Sequence, residues 1–100
     1  MFSERWMIVY NDMHFDEVDF KIDNDNIELE ILKKEKFLKG KIEKQNDFTK
    51  VYQINTDDLG IVYLVDMQEI DNHFEKNAII FKNRRGLHKE IKRYIDFSLN

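Results

Sequence analysis

Apolar and polar residues alternate along most of the first seventy positions, and a period of two marks strands with one buried face. Arg5 to Asn11 sets Trp6, Ile8 and Tyr10 on one side and Met7 and Val9 on the other. Both faces are apolar, so an interior strand is expected. Glu17 to Ile22 sets Val18, Phe20 and Ile22 against Glu17, Asp19 and Lys21. After the turn Asp23 to Asn26, Ile27, Leu29 and Ile31 oppose Glu28 and Glu30. This is the clearest hairpin in the chain. Phe37 to Lys44, Phe48 to Asn55, Gly60 to Ile70 and a short Ala78 to Lys82 continue the pattern, with Ile61 to Val65 apolar on both faces. Asn and Asp cluster between these segments and mark the turns in a chain with no Pro and three Gly.

The period then changes. From about Arg84 the apolar residues fall at Leu87, Ile91, Tyr94, Ile95 and Leu99, one stripe of an α-helix that Asn83 is placed to cap. A helix this short needs a sheet to cover. The expected fold is α+β: one domain over residues 1–100, an antiparallel β-meander of six or seven strands forming a curved sheet or open barrel, with one C-terminal amphipathic α-helix packed on it. A seven-strand sheet with a C-terminal helix is similar to the outline of pleckstrin-homology-like domains, and that similarity alone implies an anionic ligand.

Composition narrows the function classes. Hydrophobic residues at 42% and aromatics at 13% of a 100-residue chain supply one packed core. With no Cys there is no disulfide framework, thiolate metal site or Cys nucleophile. The longest apolar run, Ile61 to Val65, is far short of a membrane span, and the first residues carry no secretory pattern. A cytoplasmic protein away from membranes is expected.

Net charge is −4, but it is unevenly spread. Residues 1–30 hold nine acids and two bases, residues 31–50 three acids and seven bases, residues 51–81 six acids and one base, and residues 82–100 two acids and six bases. On the hairpin, Glu17, Asp19, Glu28 and Glu30 all point away from the apolar face, where cross-strand neighbours stand about 5 Å apart and like charges cost stability. An acidic docking face is expected there, with Asp16, Asp23 and Asp25 adding charge and Phe15 as its aromatic anchor. Its simpler alternative is an edge hairpin whose charges keep it soluble and discourage strand addition. Lys82, Arg84, Arg85, Lys89, Lys92 and Arg93, with His88 among them, form a basic patch at the start of the helix. That patch reads either as an anion site or as the solvated side of the helix. An overall pI of 5.3 argues against nucleic acid as the partner.

Catalytic chemistry finds little support. Asp12, His14 and Asp16 share a face only if their segment is extended, and a turn signal at Asn11-Asp12 favours a solvated loop. Asp23-Asn24-Asp25-Asn26 begins like a calcium loop, yet Glu28 and Lys34 stand where that loop needs Gly and Glu. Ser3, Thr49, Thr56 and Ser98 sit in no nucleophile motif, His14, His73 and His88 have no motif spacing, and Gly40, Gly60 and Gly86 are isolated. No cofactor and no metal are expected. Phe2, Phe15, Phe37, Phe74 and Phe97 fall off the core phases, as interface residues or as plugs for barrel ends.

A small, acidic, cysteine-free α+β domain without catalytic motifs resembles, in design, immunity proteins against nuclease toxins, antitoxins and phage-encoded inhibitors of host defence. The resemblance implies a non-enzymatic inhibitor that covers a basic protein, such as a nuclease toxin, with its acidic hairpin face.

Overall fold

Six alternating segments become six strands. The structure is a computed structural model and describes residues 4–73 and 84–100. Strands β1 (Trp6–Val9), β2 (Phe15–Asp23), β3 (Asn26–Ile31), β4 (Lys36–Asn46), β5 (Val51–Thr56) and β6 (Gly60–Asp66) precede helices α1 (Met67–His73) and α2 (Arg84–Leu99). Each strand pairs antiparallel with the next, and β1 pairs with β6, so the meander closes into a barrel rather than remaining an open sheet. The short segment Ala78 to Lys82 and the cap Asn83 lie outside the described residues.

Closure depends on two long strands that each serve two partners at different points. β2 pairs with β1 over Phe15 to Glu17 and with β3 from Val18 onward. β4 pairs with β3 up to Lys41 and with β5 from Gly40 onward, with a register shift between Ile42 and Lys44. A bulge bends its strand and strengthens the local twist, which is the usual device for turning a barrel corner. Gly40 sits beside it. A Cβ there would stand 2.5 Å from the Asn55 carbonyl oxygen and 2.9 Å from Thr56 Cα, so the close approach of β4 to β5 requires glycine.

The inward residues form one core: Ile8, Val18, Ile27, Leu29, Ile31, Leu38, Ile54, Val62 and Leu64. One end is plugged by half-buried aromatics, Trp6 lying edge-on to Phe20 at 4.9 Å and tilted against Tyr52 at 6.0 Å. A second core lies outside the barrel, where Met7, Val9, Val51 and Val65 meet Met67 and Ile70 of α1 and Ile91, Tyr94 and Ile95 of α2. The helical stripe read from the sequence is the packed one. No helix among the described residues is long and apolar enough to cross a membrane.

The sixth strand ends earlier than its alternation suggests, since Met67 to Ile70 are helical. Asp66 decides this: its Oδ1 accepts from the Gln68 amide at 3.0 Å, the bond of an N-cap, and the helix then buries Met67 and Ile70 one turn apart. Asp66 is 1% exposed. It also accepts from the Arg5 amide at 3.3 Å, and Lys50 Nζ stands 3.6 Å from its Oδ2, 3.0 Å from Glu4 and 3.9 Å from Glu69. At the other end of α2, Asn46 donates to the Ser98 carbonyl at 2.9 Å and accepts from the amides of Phe48 and Thr49, tying the β4–β5 turn to the helix.

Two outcomes are expected. Gly40→Ala lowers unfolding free energy by about 1–3 kcal/mol in a urea titration, because the added methyl meets backbone rather than a movable side chain. The Tyr94 phenol donates to the Thr49 carbonyl at 3.1 Å, and burial first, then Glu69 and Asp66, push it up to about 12. Its folded value exceeds its unfolded one, so its contribution is intact below about pH 10 and is lost as pH rises towards 12. Urea midpoints should fall across that window, less steeply in Tyr94→Phe.

Candidate functional site: an uncovered acidic face

The helices cover the outer side of β1, β5 and β6, while the outer side of the three-stranded part, β2 from Val18, β3 and the first half of β4, carries no helical cover among the described residues. Strand alternation decides what this face presents. Its rows across the ladder are Asp19, Glu30 and Phe37, then Lys21, Glu28 and Lys39, then Asp23, Asn26 and Lys41. Glu17 lies beyond Asp19, and its carbonyl accepts from the Leu32 amide at 3.1 Å.

These rows differ in electrostatics. Glu28 stands between two lysines, so its charge is offset within the sheet. Asp19 and Glu30 face one another with no ion pair or side-chain hydrogen bond among the described residues. Beside them are two exposed apolar side chains, Phe37 at 59% and Leu32 at 40%. Carboxylates next to exposed apolar groups have the mixed character of an interface rather than of a solvating surface. A shallow groove of about 230 Å³ follows this face, lined by Asp19, Phe20, Lys21, Glu28, Glu30 and Phe37. It is smaller than the roughly 300–1,000 Å³ of small-ligand pockets.

Of the residues expected on the docking face, Glu17, Asp19, Glu28 and Glu30 share it, and Asp23 and Asp25 are exposed at the hairpin tip. Asp16 does not. Odd and even positions of β2 point to opposite sides, so Asp16 turns to the barrel mouth, accepting from Tyr10 Oη at 2.9 Å and Lys34 Nζ at 3.3 Å. The Tyr10 phenol is raised well above its usual value by burial and by this carboxylate. Phe15 is on the correct side but is half-buried under α2, edge-on to the His88 ring at 6.2 Å. The exposed aromatic beside the acids is Phe37. Leu32, just past β3, follows Ile31 out of phase and so leaves no signal in the alternation.

Asp12, His14 and Asp16 line one hollow of about 480 Å³ together with Tyr10, Lys34 and Lys36. Asp12 and His14 pair at 3.2 Å in the β1–β2 turn, with the His14 amide donating to Asp12, while Asp16 is held by Tyr10 and Lys34. Among the described residues no three such groups converge as metal ligands. On α2, Lys92 pairs with Asp96 at 3.0 Å and Arg93 with Glu90 at 3.4 Å, while Arg85 and Lys89 are exposed. Lys82 and the Arg84 side chain lie outside the described residues. Of the remaining off-phase aromatics, Phe97 is exposed on α2, and Phe2 and Phe74 are not described. Phe48 lies in the β4–β5 turn rather than in a strand and is 93% exposed.

A face kept for binding should be improvable for stability. Glu30→Lys replaces a repulsive cross-strand pair with an attractive one, and an increase of about 0.2–1 kcal/mol in unfolding free energy is expected from urea titration at low salt. The increase should shrink as salt is added.

No family model, curated protein or solved structure matches this chain.

Proposed function

We propose that the protein is a non-enzymatic inhibitor of the immunity-protein or antitoxin kind, which neutralises a basic protein such as a nuclease toxin by covering it with the outer face of β2, β3 and β4. The observation that carries this reading is the cross-strand couple Asp19 and Glu30, without an ion pair among the described residues, beside exposed Phe37 and Leu32 on the side of the barrel that the described helices leave open. Nucleases that act on phosphate backbones have cationic clefts, and an acidic face complements them and speeds association. An anion site on α2 has less behind it, since Lys92 and Arg93 are already paired along the helix.

The test begins with a pull-down from the native host to name a partner, followed by titration of that purified partner. A combined Glu17→Lys, Asp19→Lys and Glu30→Lys variant should remain folded and lose at least about a hundredfold in affinity, in line with several charge pairs at an interface. The wild-type association rate should fall as salt rises. An acidic partner, or affinity unchanged in the variant, would overturn the proposal.

A further inference from the structure

The docking reading says that the partner is basic; the groove on the same face is selective enough to say which basic side chain it receives. We infer that the residue seated there is an arginine, held by Asp19 and Glu30 with its guanidinium against the Phe37 ring. This rests on the reading above and adds the chemistry of the contact.

Three features converge. The groove, at about 230 Å³, accommodates one long side chain rather than a folded ligand. Asp19 and Glu30 are direct cross-strand partners, and Phe37 is the next residue in that row, opposite Glu30. The row therefore offers two carboxylates and an exposed aromatic ring side by side, and all three line the groove. The row beneath it, Lys21, Glu28 and Lys39, carries two positive charges to one negative. Of that row only Lys21 and Glu28 line the groove, and their charges offset one another, so the uncompensated negative charge lies in the upper row.

A lysine ammonium would gain from the carboxylates alone, because it is a compact and strongly hydrated charge. A guanidinium is planar and weakly hydrated. It places its N–H fork on a carboxylate while stacking its face on an aromatic ring. Phe37 is the element that makes the site discriminate, and the two acids are the element that makes it attract.

Amide chemical shifts of isotope-labelled protein, titrated with hexa-arginine and hexa-lysine peptides at low salt, separate these roles. Both peptides should shift Asp19, Glu30 and Phe37, with hexa-arginine binding at least about two- to fivefold tighter, the size of one exposed cation–aromatic contact. Phe37→Leu keeps an apolar side chain on the exposed strand position and should bring the two affinities together while leaving that of hexa-lysine nearly unchanged. Asp19→Asn combined with Glu30→Gln should weaken both. Equal affinities in the wild type, or a preference for arginine that survives Phe37→Leu, would overturn the arginine assignment and leave the docking face standing. Shifts absent from the face with either peptide would overturn both.

Discussion

The bend of β4 is the constraint on which the remaining architecture depends. One strand must pair with β3 on its first half and β5 on its second, and these partners run in different directions around the barrel. Gly40 lets β4 approach β5 within the space that a methyl group would fill, and the bulge after Ile42 turns the strand through the corner. Without that corner the inward residues of β3 and β6 would not share a core. The same bend divides the outer surface in two: β1, β5 and β6 roofed by helices, and β2 from Val18, β3 and the first half of β4 without helical cover among the described residues.

The roofed side is joined by polar contacts as well as by packing. Asp66 ends β6, starts α1 and receives the backbone of Arg5, while Lys50 bridges it to Glu4 and Glu69. Lys50 also takes φ +53, a conformation that costs a non-glycine residue about 1 kcal/mol or more. Its ion pairs fix the side chain at that strained turn. Met13, Asn24 and Glu35 adopt the same left-handed conformation, each between two strands. In a chain with three glycines, tertiary contacts carry turns that glycine would make without strain.

Much of the fold is legible from alternation, because strands with one buried face write their geometry into the sequence. Val18, Phe20, Leu29 and Ile31 gave the hairpin and its inward side, and Leu87, Ile91, Tyr94 and Ile95 gave the packed face of α2. What alternation does not carry is pairing between distant segments: nothing local says that β1 meets β6. The bulge is equally silent, since Glu43 continues the polar phase of Lys41 even as the strand changes direction. Met67 to Ile70 fit both a period of two and a helical turn, and the Asp66 cap settles the choice. At the site, parity found Glu17, Asp19, Glu28 and Glu30; Asp16 belongs with them only by its nearness in the chain, and the same parity turns it to the other side. The offset of Glu28 by Lys39 required the register between β3 and β4.

The pairing of β1 with β6 has a kinetic side. It joins Trp6 to Asp66 and Val9 to Tyr63, the most distant strand contacts among the described residues, whereas β2 and β3 meet across a turn of two residues. Loop-closure entropy grows with the length of chain enclosed, so the seam is the dearest ladder to form and the acidic hairpin the cheapest. During synthesis the edge of β1 that pairs with β6 must wait until residues far downstream leave the ribosome, while its other edge meets β2 a short turn away. The charged hairpin emerges in the interval and lies next to β1 in the chain. Its repulsive surface then guards an unfinished barrel against sticking to its neighbours.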